Sequence, residues 1–206
     1  MVYVLLGTGF EEVEAIAPVD LLRRSGVSVL TVGVDGKAVT GSHGITVEAD
    51  ITLEQMDLTG VKIMWTNYPN MPTGAPATEE LYARLVDFGR RHGILICNDN
   101  PYSFILNDKP ESLLAVEGAK DVCIEMNSLS KSHNMAGWRV GMLASNSTFI
   151  NWILKVKSNI DSGQFKPIML AAVKALEVDD NWYASLNEVY RTRRNIAEEI
   201  MTELGC

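Results

Sequence analysis

Short apolar runs that end in glycine or in polar turn residues recur along this chain, and stretches with one apolar helical face separate them. The first run, VYVLLG, is continuous and apolar, which suits a strand buried on both faces. Glu11 to Ser25 follows, with Val13, Ile16, Ala17, Val19, Leu21 and Leu22 on one helical face and Gly26 as its stop. VSVLTVGV reads as the next strand. A strand, helix and strand in this order predict a right-handed parallel crossover, so the chain is read as α/β.

The same grammar continues. Gly36 and Gly41 punctuate a small hairpin-like excursion in which ITVEA alternates apolar and polar. VKIMWTN is a strand, YPNMPTGAP a turn-rich loop, and Thr78 a cap for a helix from Glu79 to a stop at His92-Gly93. ILICND, DVCIEMN and WRVGMLAS are three further strands. Helices are expected at roughly 147–160, 165–177 and 181–203, with breaks at Gly163 and at Asp179-Asp180.

Composition bounds the partners. With 206 residues, 47% hydrophobic and 21% charged, the chain can bury one sizeable core. A formal net charge of -8 argues against nucleic acid and against anionic membranes. No apolar stretch approaches the ~18 residues of a membrane-spanning helix. VYVLLG is short and has no basic lead, so no signal peptide is expected and the setting is cytoplasmic. Of Cys97, Cys123 and Cys206, the first two lie in apolar runs and read as buried small hydrophobes; no metal-ligand spacing is seen.

Residues 128 to 141 read SLSKSHNMAGWRVG. This resembles the Schiff-base lysine segment of class I/II aminotransferases, the fold-type-I enzymes that use pyridoxal phosphate (PLP). The resemblance covers roughly residues 61–206 and is similar to the family's large domain. It implies Lys131 as the Schiff-base lysine, with Ser128, Ser130 and Arg139 toward the cofactor phosphate. In ICNDNPY it implies Asp99 beside the pyridine nitrogen and Tyr102 beside the cofactor's phenolic oxygen. NYPNMPTG resembles the family's NPxNPTG loop but has Met71 where the family has asparagine; Asn70 is one residue early, and the role passes to neither. Taken singly, these residues have plainer readings: a loop lysine, an Asp-Asn-Pro turn, a structural ion pair.

Residues 1–58 resemble the N-terminal part of the ThiJ/PfpI superfamily, which is flavodoxin-like. The resemblance aligns Glu14 with the glutamate that stands beside that family's nucleophilic cysteine, and no cysteine here has the matching context. The expected whole is a single domain built from residues 1–60 and 61–206, joined between Asp57 and Val61. Its fold is a three-layer doubly wound sheet of order 2-1-3-4-5-6 with strand 6 antiparallel and helices on both faces. Neither parental site is complete on this reading. It makes the chain an engineered chimera without evolved catalytic activity, not an enzyme and without a cofactor. The alternative is residual PLP binding through Lys131 with weak or no aminotransferase activity. A homo-oligomer formed through apolar patches around Trp152, Phe165 and Trp182 is left open.

Overall fold

The computed structural model describes residues 1–205 and divides into two compact units, Met1–Lys62 and the chain from Ile63 onward. Cys206 lies outside the described residues.

The first unit opens with β1 (Val2–Leu6), α1 (Glu12–Arg24) and β2 (Val29–Gly33). β1 and β2 are parallel, with Val2 opposite Val29 and Leu6 opposite Gly33, as the crossover requires. β3 (Ala38–Thr40) and β4 (Thr46–Glu48) form an antiparallel hairpin, and β5 (Ile51–Thr52) follows. The core gathers Leu6, Val19, Val29, Val32, Val39 and Ala49.

Here the sequence-based topology needs correcting. The order 2-1-3 would place β1 in the middle, but the sheet runs β1-β2-β5 with β2 central. Asp50 supplies the reason. Its Oδ2 accepts from the Thr31 backbone N–H and hydroxyl, both at 2.8 Å, and from Arg23 Nη2 at 2.6 Å. The carboxylate is held below its usual pKa, chiefly by the Thr31 N–H. This pins β5 against β2. β2 is also the more buried strand, as a central position demands.

The second unit contains β6 (Ile63–Asn67), α2 (Glu79–His92), β7 (Leu95–Asp99), β8 (Cys123–Ser128), α3 (Leu129–Ser132), β9 (Gly141–Ala144), α4 (Ser147–Ile160), α5 (Lys166–Ala175) and α6 (Asp180–Leu204). Its sheet runs β6-β7-β8-β9 with β9 antiparallel to β8. Among the described residues the strands therefore fall into three hydrogen-bonded sheets, not the single six-stranded sheet expected.

α2 shows why these residues fold as they do. The Thr78 side chain accepts from Leu81 N, and Gly93 takes the left-handed conformation, φ 64°, that ends the helix. The face of α2 with Tyr82, Val86 and Gly89 packs on β7. A Cβ at Gly89 would stand 2.8 Å from Ile94 O, so the close approach needs glycine. Under that helix Asn98 is fully buried and satisfied: Nδ2 donates to Tyr68 O and Tyr82 Oη, and Oδ1 accepts from Thr66 Oγ1 and Tyr68 N. Cys97 and Cys123 are buried, and burial pushes the Cys123 thiol up to about 12, so neither is a ready nucleophile.

Candidate active site

The carboxyl ends of β6, β7 and β8 lie side by side. Asn67 stands opposite Asp99, and Asp99 opposite Met126, in parallel register. This is where open α/β sheets hold ligands, because the strand ends open into crevices between connecting loops. Asp99 occupies the last position of β7. It is solvent-exposed, yet the protein packed behind the strand end desolvates its carboxyl and raises its pKa. Asn67 Nδ2 donates to Asp99 O at 2.9 Å and fixes the backbone there.

Lys131 lies on α3, a single helical turn directly after β8. Ser128 caps that turn: its Oγ accepts from Ser130 N at 3.1 Å, donates to Ser130 Oγ at 2.8 Å and reaches Val140 O at 3.2 Å. Lys131 is exposed, and its Nζ stands over the Tyr102 ring, 5.5 Å from the centroid. The amine and the phenol, 29 positions apart in sequence, therefore meet in space. A cation over an aromatic face is favourable by about 0.5–1 kcal/mol when exposed.

Arg139 sits in the left-handed conformation, φ 55°, beside the strand β9 that pairs Gly141 with Ser128. Its Nη1 donates to Ala136 O at 3.0 Å, within its own turn. Asn70 is also committed within its loop: Oδ1 accepts from Thr73 Oγ1 and Nδ2 donates to Asn67 Oδ1. Met71 N–H donates to the same Asn67 oxygen at 3.1 Å. Asn67 thus ties the whole loop to the site, a role that no spacing in the sequence announced.

Two groups elsewhere were also missed from sequence. In the first unit Glu12 is buried, and its carboxylate accepts from His43 N and pairs with His43 Nδ1, both at 2.8 Å. The His43 bonds hold Glu12 down at about 2. Glu11, Glu12 and His43 put their ligand atoms within 4.8 Å of one another. Glu14, the residue singled out from sequence, is exposed on α1, where its backbone N–H donates to the Glu11 carboxylate at 2.6 Å.

The comparisons with known proteins decide the family. The model of aminotransferase class I and II matches residues 20–206. The chain belongs to that family. LL-diaminopimelate aminotransferase of Gloeobacter violaceus is 49% identical over 146 residues, which is 70% of this chain and 37% of that relative. The enzyme of the same name from Aquifex aeolicus is 45% identical over 146 residues, 70% of this chain and 38% of that relative. Among solved structures, apo-BacF from Bacillus subtilis matches with TM-score 0.76 and 27% identity, covering 98% of this chain and 49% of that one. An aminotransferase from Staphylococcus aureus matches with TM-score 0.73 and 26% identity, covering 98% of this chain and 51% of that one. The chain spans under two fifths of the length of these curated relatives.

These findings overturn the expectation of an engineered chimera without evolved activity. The family match begins at residue 20 and runs through the junction expected at 57–61. Identity of 45–49% to named aminotransferases is the mark of descent within a working enzyme family. PLP is the cofactor this family implies, and the expectation of none is corrected accordingly. The donor set at the strand ends fits it in kind. Lys131 offers an amine, Tyr102 a phenol beside it, Asp99 a carboxyl at a strand end, and Ser128 and Ser130 hydroxyls on one helical turn.

Proposed function

We propose that this chain is the cofactor-holding part of a PLP-dependent aminotransferase that acts on amino acids of the diaminopimelate class. The observation that carries the reading is the placement of the Lys131 amine over the Tyr102 ring, beside the strand end that bears Asp99. The substrate class rests on the names of the relatives at 45–49% identity. That residues 1–206 act together as one domain belongs to the same proposal, supported by a family match that crosses both units.

PLP, when bound, supplies an aldehyde carbon for an amine and a pyridine ring that accepts electrons. Lys131 would be the residue whose amine holds the aldehyde group, and it is the amine placed to move a proton at the substrate carbon. Tyr102 would donate a hydrogen bond to the cofactor's phenolic oxygen. Asp99 would hold the pyridine nitrogen; desolvation raises its pKa, and a cationic ring beside it would favour the carboxylate. Ser128 and Ser130 would offer their hydroxyls to the phosphate. Arg139, whose Nη1 donates to Ala136 O, would supply positive charge to the same phosphate.

Two smaller readings accompany this one. No helix among the described residues is long and apolar enough to cross a membrane, which supports a cytoplasmic enzyme. Trp152, Ile160 and Phe165 are exposed on and beside α4, which supports association with a second copy. Nucleic acid is not a partner on the charge of the chain.

The test is a visible-absorbance titration of the protein with PLP, beside Lys131→Ala and Tyr102→Phe. A saturable band is expected in the wild type, absent in Lys131→Ala and displaced in its pH dependence in Tyr102→Phe. Addition of LL-diaminopimelate is expected to bleach it. The same band in wild type and Lys131→Ala would sink the proposal.

A further inference from the structure

Within the second unit, a half-open cavity of about 290 Å³ lies against the face of β8 and β9, with Tyr183 of α6 and Phe104 on its far wall. Lys131 is not among its walls, so it is separate from the site above. The lining is mostly apolar. Phe104 and Tyr183 stack at 5.0 Å between centroids, and Leu129 and Met142 complete a slot that an aromatic ring or branched alkyl group would fill.

Ser112, Asn127, Ser132 and His133 add polar groups to the wall, and Glu125 is its one acidic side chain. It lines the cavity yet is only 8% exposed. Its carboxylate accepts from Leu113 N at 2.6 Å and from Asn100 Nδ2 at 3.2 Å. No ion pair among the described residues reaches it, and no Lys or Arg lines the cavity. Beside it, Oδ1 of the same Asn100 amide is buried with no hydrogen-bond partner. His133, also in the wall, is buried, which lowers its pKa and disfavours its charged form. A buried carboxylate without a cation is unfavourable, so a cavity with one in its wall favours a ligand that brings positive charge.

We propose that this cavity binds a small primary amine carrying one aromatic or branched apolar group, the ammonium at Glu125 and the apolar part between Met142, Phe104 and Tyr183. The site is independent of the PLP reading and of any transamination.

The test is methyl NMR of the methionine-labelled protein, with the Met142 signal assigned by Met142→Leu, titrated with benzylamine and with the neutral isostere benzyl alcohol. The Met142 methyl should shift saturably with benzylamine. Benzyl alcohol should bind about tenfold more weakly or worse, since a charged hydrogen bond is worth more than a neutral one. Ala144→Trp, at an exposed wall position, should block both ligands while the remaining spectrum stays native. Equal affinity for the two probes, no saturable shift at Met142, or binding unchanged in Ala144→Trp would each overturn the proposal. The probe pair reads the charge without Glu125→Gln, whose new amide would face Asn100 Nδ2 and compromise folding.

Discussion

Single residues set the precision of the strand-end site. Asn187 of α6 is 5% exposed, and both ends of its amide are used on the loop that follows Tyr102. Nδ2 donates to Phe104 O at 3.0 Å, and Oδ1 accepts from Leu106 N at 2.7 Å. Leu106 takes a left-handed φ of 49°, which a leucine adopts only when its surroundings insist. Asn187→Ala leaves two backbone groups without partners. It is expected to lower stability by about 2–3 kcal/mol, read as a shift of the denaturation midpoint. Hydrogen exchange at the Leu106 amide should rise in parallel. An unchanged midpoint would show that water replaces the amide freely.

At the scale of elements, the amino end of α1 is tied to the turn after β3 by Glu12 and His43, with Glu11 nearby and Ser42 Oγ donating to Glu12 at 3.3 Å. Gly41 belongs to this arrangement, because a Cβ there would collide with the Glu12 carboxylate. The pH dependence follows from the two shifts. Glu12 falls from 4.5 unfolded to about 2 folded, so its contribution is whole above pH 4.5 and is lost as pH falls toward 2. The Glu12 carboxylate raises His43 above 6.5, so that contribution is whole below pH 6.5 and is lost as pH rises through the folded value. The first unit is therefore expected to be most resistant to denaturant between about pH 4.5 and 6.5. Glu12→Gln should flatten both limbs in a stability series across pH. The His43 side chain is 70% exposed, so added salt should shrink the alkaline limb more than the acid one. Limbs that persist in Glu12→Gln would assign the dependence to other groups.

On the scale of the molecule, the helices after β9 carry more apolar surface than a lone soluble chain usually shows. Ile160 is 78% exposed and Phe165 69%. Sedimentation velocity over a concentration series is expected to show reversible self-association. Trp152→Ser with Phe165→Ser should move the equilibrium toward monomer without changing the far-ultraviolet dichroism. A single monomeric species at every concentration would remove the second copy from the account.

What sequence determined is local. Apolar runs and helical faces placed β6, β7, α2, α4 and α6 within about three residues of where they lie, because a buried strand and an amphipathic helix are each written by their own side chains. The Thr78 cap and the Gly93 stop were legible for the same reason. The segment SLSKSHNMAGWRVG carried the family, since a motif so dense in chemistry survives as sequence. The tertiary structure decided what depends on distant partners. It put β2 in the centre of its sheet, because Asp50 closes on Thr31 across 19 residues. It made Asn67, Glu12 and Asn187 structural anchors, because their amides and carboxylates satisfy backbone groups that only the folded chain brings near. Residue type reveals that a side chain can hydrogen-bond; burial decides whether it must.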